Sequence, residues 1–171
     1  MAATRAADAA NDPLVDGAYR EAMQRAGHLL SSRPRTEHEL RIRLGSAGFD
    51  RVVVERAMER LIELRLIDDD GFARQWVEER AIAKGRGREA LVAELVAKGI
   101  DQVAAEEAVS HADLDELAQA SELAARFLPR VADRPLPRQA AAIMGRLLRR
   151  GFTEEIAEAA ARSVLPPEGW D

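Results

Sequence analysis

The chain has 171 residues, with 25 basic and 30 acidic side chains, a formal net charge of −5, 47% hydrophobic residues and only 4% aromatic ones. With no cysteine, disulfides and thiol chemistry are excluded, and the negative balance argues against a protein that simply coats DNA. A chain rich in Ala, Leu, Glu and Arg favours helix over sheet, and the lack of a membrane-length apolar run or a signal-peptide core leads us to expect a cytoplasmic protein without membrane contact.

Residues 1–17 lack periodic apolar positions and read as a disordered tail. The first helix is expected from Ala18 to Ser32, with Ala22, Ala26, Leu29 and Leu30 inward and Pro34 ending it. Thr36-Glu37-His38-Glu39 is a capping box that opens the second helix, which runs through Leu40 and Leu44 to Gly48. Asp50 opens the third, whose apolar stripe is Val53, Val54, Ala57, Leu61 and Leu64. An aspartate of Asp68-Asp69-Asp70 caps the fourth, which carries Phe72, Trp76, Val77 and Ile82; a helix cap explains these carboxylates better than a metal site, because no second ligand cluster accompanies them. Gly85 and Gly87 break that helix. The fifth carries Leu91 and Leu95 to Gly99, and the sixth runs from Asp101 to His111. Asp113-Leu114-Asp115-Glu116 starts the seventh, with a stripe of Leu117, Leu123, Ala124, Phe127 and Leu128. After a loop marked by Pro129, Pro135 and Pro137, the eighth carries Ile143 and Leu147, and the ninth runs from Thr153 to Val164, stopped by Pro166-Pro167.

These helices fall into a repeat. Leu44 to Asp50, Leu95 to Asp101 and Leu147 to Thr153 each read leucine, three variable residues, glycine, a large apolar residue, then Asp or Thr; the glycines, Gly48, Gly99 and Gly151, are 51 and 52 residues apart. The glycine suits the left-handed residue that ends a helix, and the Asp or Thr can cap the next. Eight and four residues before each glycine stand Leu40 and Leu44, Leu91 and Leu95, Ile143 and Leu147; five and nine after it stand Val53 and Ala57, Ala104 and Ala108, Ile156 and Ala160. A period near fifty with only helical signals reads as an all-α, elongated tandem array of three three-helix repeats, 18–67, 68–112 and 113–165, with a short tail at 166–171. The alternative is one irregular helical domain with coincidental glycine corners.

No catalytic constellation is present. His38 lies beside Glu37 and Glu39 without further ligands, Gly85-Arg86-Gly87 lacks the strand and the Lys-Ser/Thr pair of a phosphate loop, and nothing resembles a nucleophile elbow or a paired-acid site. We therefore expect a non-enzyme without cofactor or metal. The charge is polarised instead: residues 18–70 are neutral, 71–120 carry −4 and 121–165 carry +3. Basic residues recur at the first inter-helix turn of each repeat: Arg33, Arg35, Arg41 and Arg43; Lys84, Arg86 and Arg88; Arg126, Arg130, Arg134 and Arg138. Lys98 joins them from the second corner. Arginine at such turns suits phosphates or carboxylates of a partner; the competing reading is a solvated surface with cations at helix ends, which fits Arg146, Arg149 and Arg150 well.

The chain resembles the RecX family of bacterial regulators of the RecA recombinase. The carrying residues are Leu29 to Thr36 with Glu39-Leu40, Leu66-Ile67-Asp68-Asp69 with Phe72-Ala73, and Lys84-Gly85-Arg86-Gly87 with Leu91, Leu95 and Lys98-Gly99-Ile100. No one motif is strong; their order and spacing over residues 18–165 make the combination specific. Arg65 stands where the family usually has glycine, and Arg88 where proline is frequent. The resemblance implies an array that binds in the groove of the RecA filament on single-stranded DNA, bridges protomers, and suppresses ATP hydrolysis, strand exchange and filament growth, with direct DNA binding by some members. A monomer is expected. The basic turns listed above would face acidic groups or DNA. The runner-up is a stand-alone helical DNA-binding protein, which the mixed surface of the third helix disfavours; a passive helical adaptor is the third reading.

Overall fold

Nine α-helices and one 3-10 turn, with no strand, make up the described residues, 13–167, of the computed structural model. In chain order they are α1 (Pro13–Ser32), α2 (Glu37–Ser46), α3 (Arg51–Glu63), α4 (Asp69–Lys84), α5 (Arg88–Ala97), α6 (Gln102–His111), α7 (Glu116–Phe127), the 3-10 turn Leu128–Arg130, α8 (Leu136–Leu148) and α9 (Glu154–Val164). Each α-helix matches an expected helix, the 3-10 turn lies in the expected proline-marked loop, and α1 begins five residues before the expected Ala18. Proline is preorganised for a first helical turn, and Asp16 in that turn pairs with Arg56 of α3 at 2.9 Å, so residues 13–17 are helix rather than tail. Residues 1–12 and 168–171 lie outside the described residues.

The corners are built as the repeat suggests. Gly48, Gly99 and Gly151 have φ of 91°, 84° and 83°, a region closed to most side chains. Asp101 caps α6 through the amides of Val103 and Ala104, and Thr153 caps α9 through Ile156. Asp50 departs from the expectation: its carboxylate makes no capping bond. Asp115 caps α7 through Ala118, and Asp68 caps α4 by accepting from the Gly71 amide at 2.8 Å. Arg65 adopts φ 53°, so the backbone keeps the left-handed turn although no glycine stands there.

Two compact units divide the chain. The first holds the described residues up to Phe72 together with Lys98–Ile100. Its core is Ala22, Ala26, Leu40, Leu44, Val53, Val54, Ala57, Met58 and Leu61. The second unit holds Ala73–Ala97 and the described residues from Asp101 onward, with a core centred on Ala120, Ala124, Phe127, Ile143, Leu147, Phe152, Ala157, Ala160 and Ala161. Three stripe residues do not go inward: Leu64, Ile82 and Leu117 are 44%, 81% and 44% exposed. They sit in or next to the first or last turn of a helix, where no neighbouring element covers them, and Ala81 and Ala120 are buried in place of Ile82 and Leu117. In α6 the buried positions are Ala105 and Val109, one residue after the expected Ala104 and Ala108, which are half-buried.

One joint occurs twice. In the first unit the Gly99 corner sits on the start of α2. Thr36, fully buried, donates its hydroxyl to the Lys98 carbonyl at 2.7 Å and accepts the Glu39 amide at 3.1 Å. In the second unit the Gly151 corner sits on the start of α5. Here Gly87 donates its amide to the Arg150 carbonyl at 2.9 Å and Glu89 donates to the Gly151 carbonyl at 3.2 Å. Gly87 is required by this approach, because a β-carbon there would run into the Gly151 carbonyl. At Gly99 and Gly151, where a β-carbon would run into His38 and Ala90, the recurring glycine likewise serves packing as well as chain reversal.

Candidate functional site

The basic turn residues divide by what holds them. Arg33 pairs with Glu39 at 3.0 Å, and Lys98 pairs with the same carboxylate at 2.7 Å. Burial works against the Glu39 charge, but the hydrogen bonds from Lys98 and Arg33 prevail and hold its carboxyl below the usual range. Arg35 donates Nε to the Leu29 carbonyl at 3.0 Å; its pKa is lowered by burial and then by the charge of Arg33. Arg41 is clamped between Glu55, at 2.9 Å, and Glu37; the Glu55 hydrogen bond raises its pKa against burial. Asp69 accepts the Glu37 amide at 2.9 Å, and burial pushes its carboxyl up despite that bond.

In the second unit Arg86 pairs with Glu94 at 2.8 Å, and the other oxygen of Glu94 accepts from Trp76 Nε1 at 3.1 Å. Arg88 is a strut: Nε meets Glu116 at 3.2 Å, and Nη1 and Nη2 donate to the carbonyls of Val109 and Leu114 at 3.0 and 3.4 Å. Arg126 pairs with Glu122 at 3.6 Å on the exposed face of α7. Arg43, Lys84, Arg130, Arg134 and Arg138 are exposed and make no ion pair with the described residues.

Three of the sequence candidates come together with four further cations and a phenylalanine that were not among them. An open cleft of about 530 Å³ is lined by Arg80, Lys84, Arg86, Phe127, Arg130, Arg146, Arg149 and Arg150. The last turns of α4 and α8, the Gly85–Gly87 turn and the 3-10 turn converge there. Arg80 lies over the Trp76 ring at 4.1 Å; Arg146 and Arg150 lie over Phe127 at 5.3 and 5.6 Å. Arg150 also donates Nη1 to the Lys84 carbonyl at 2.6 Å. The sequence signal for Arg146, Arg149 and Arg150 was a basic helix end, read as a dipole partner; Arg80 gave no signal of its own. Among the described residues no group of His, Cys, Asp or Glu could hold a metal ion, and no helix is long and apolar enough to cross a membrane.

Profiles for two RecX domains match the chain, the first three-helix domain over residues 22–61 and the second over residues 68–109. The regulatory protein RecX of Streptomyces coelicolor is 33% identical over 144 residues, 84% of this chain and 77% of that relative. That of Thermobifida fusca is 32% identical, over 96% of this chain and 92% of its own. The chain belongs to the RecX family. The match to the regulatory protein RecX of Mycobacterium sp. (strain JLS) is higher, 48% over 73 residues, but spans only 40% of that relative's length. Among solved structures, the crystal structure of RecX from Lactobacillus salivarius is 24% identical and superposes with a TM-score of 0.75 over 88% of this chain and 96% of its own. A second RecX crystal structure gives 0.78 over 85% of this chain and 73% of its own, at 23% identity. These likenesses bear on fold: the chain is an all-helical RecX-type repeat array, and its family is one of regulatory proteins.

Proposed function

We propose that the protein is a cytoplasmic regulator of the RecA recombinase that binds in the groove of the RecA filament on single-stranded DNA. Bound there, it suppresses ATP hydrolysis, strand exchange and filament growth. The observation that carries this reading is membership of the RecX family along nearly the whole chain, 92% of the Thermobifida fusca relative included. The repeat architecture supports it, because linked modules convert successive weak contacts into intramolecular ones.

We assign the contacts among the basic turns by their pairing. Arg43, Lys84, Arg130, Arg134 and Arg138 have no carboxylate partner among the described residues to give up, and they meet the partner directly. Arg33, Arg35, Arg41, Arg86, Arg88, Lys98 and Arg126 already hold protein groups. Giving up such a contact to bind would leave a carboxylate, or for Arg35 a carbonyl, unmatched, at least cost for the exposed Arg126, so their part is to set the surface that the free cations occupy.

The deciding experiment is RecA ATPase on saturating single-stranded DNA with the protein titrated in, in both orders of addition. Inhibition below the DNA concentration, pre-formed filaments included, is expected. The triple change Arg43→Glu, Arg134→Glu and Arg138→Glu should raise the inhibitory concentration by about tenfold, the loss of roughly 1.4 kcal/mol. No inhibition by the unaltered protein overturns the reading.

A further inference from the structure

The cleft of the second unit has an unusual lining. Seven of its eight residues are cationic and none is acidic, in a chain whose net charge is −5. Among the described residues only Arg86 has a carboxylate partner, Glu94. Arg80, Arg146 and Arg150 are held in place by aromatic rings, and Arg150 also by a carbonyl. Rings and carbonyls position a guanidinium without cancelling its charge. Lys84, Arg130 and Arg149 are exposed and make no ion pair with the described residues.

Cations at helix ends have an ordinary explanation, the partial negative charge of the last carbonyls. Two helices, α4 and α8, end at this cleft, and each supplies about half a charge. That offsets about one of six unpaired cations and leaves the rest uncompensated. Arg146 Nη1, moreover, makes no hydrogen bond with the described residues.

We propose that this cleft is a binding site for consecutive phosphoryl groups. Phosphates fit better than carboxylates. Phe127 is the single apolar residue of the lining and is buried beneath its arginines, so an acidic peptide would find charge partners but no pocket to anchor an apolar side chain. A run of phosphates presents several acceptor oxygens per group and needs no anchor, and planar guanidinium forks match those oxygens in pairs. Among the lining residues no exposed ring offers a platform for bases, so recognition is of the phosphates and not of sequence. Two sources carry such a run, the triphosphate of a free nucleotide and the backbone of a nucleic-acid strand. The proposal does not depend on the filament reading, and its test contains no RecA.

The full chain is titrated by calorimetry with inorganic tripolyphosphate, and by fluorescence anisotropy with labelled oligothymidylate and an abasic strand of equal length. The double reversal Arg80→Glu with Arg149→Glu is compared with Arg25→Glu with Arg51→Glu, which changes net charge equally on exposed positions of the first unit. Circular dichroism checks that both variants are folded, and Lys84→Gln with Arg149→Gln provides a milder version. The cleft reversal should weaken binding at least about tenfold and lower the salt slope by about two, whereas the control changes neither. Tight binding of tripolyphosphate, with no gain for the strands, identifies a nucleotide-type ligand; equal binding of abasic and thymidylate strands, tighter than tripolyphosphate, identifies a nucleic-acid backbone. Either outcome supports the site. Failure of all three probes to bind, equal losses in both reversals, or an oligoglutamate that competes as well as tripolyphosphate overturns it.

Discussion

Gly48→Ala and Gly99→Ala make the same chemical change at equivalent corners of one compact unit, yet they should differ in cost. Their φ angles are 91° and 84°, so each alanine pays a left-handed penalty of roughly 1–2 kcal/mol. At Gly48 a new β-carbon meets no atom within 4 Å, while at Gly99 it runs into Cβ and Cγ of His38. Those atoms are at the root of the side chain on α2, and the corner must lift to make room. Overpacking of this kind costs about 1–3 kcal/mol, and lifting also strains the Thr36 bond to the Lys98 carbonyl. Gly99→Ala should therefore cost about 2–5 kcal/mol in total and Gly48→Ala about 1–2. Urea unfolding followed by far-UV circular dichroism measures both against the parent chain. Equal losses would mean that the glycine repeat records backbone conformation alone and that the corner does not dock on α2 as described.

Thr36→Val keeps the shape of the side chain but leaves the Lys98 carbonyl and the Glu39 amide without their buried partner; it should lower stability by about 1–3 kcal/mol, read from the urea midpoint, while Thr36→Ser loses less. Glu39 is held below its unfolded pKa by Lys98 and Arg33, so its contribution is present above the unfolded value, about 4.3, and is lost as pH falls through the folded one. Glu39→Gln should flatten the acid limb of the stability profile between about pH 5 and 3, and an unchanged limb would count against the pairing of Glu39 with Lys98 and Arg33. Ala90→Glu places at the second joint the carboxylate that Glu39 supplies at the first; it should weaken tripolyphosphate binding several-fold by neutralising Arg150, without loss of helicity by circular dichroism.

Much of the fold is legible because its rules are local. A glycine that needs positive φ, a capping Asp101 or Thr153, and leucines spaced by four all declare themselves within a few residues, and the structure has its helices where these signals stand. The stripe fails at Leu64, Ile82 and Leu117 because periodicity states which face a residue shares, not whether another helix reaches that far along. The basic turns show the same limit for charge. Their positions are visible in the sequence, but whether a cation is spent depends on carboxylates brought from elsewhere: Glu39 to Lys98 across 59 residues, Glu116 to Arg88 across 28. The cleft was hidden more completely. Arg80 and Arg149 are far apart in the chain, and only the convergence of α4 with the end of α8 places them around one space.

The two joints explain how such a space arises from a repeat. Lys98 and Arg150 hold the same place, one residue before a corner glycine, and Glu39 and Ala90 hold the same place on the helices that receive those corners. At the first joint the cation meets its carboxylate, and the pair, each side chain 19% exposed, closes the contact. At the second, alanine stands where the carboxylate would be, and the backbone amides of Gly87 and Glu89 take over the docking. Arg150 is thereby released from a structural role: it turns to the Lys84 carbonyl and the Phe127 ring and keeps its full charge at the cleft. Replacing Glu by Ala at one repeat position thus removes an ion pair that the backbone can spare and leaves a cation for something outside the chain. Stability and binding draw on the same arginines, and which of the two each serves is set by whether a carboxylate stands within reach.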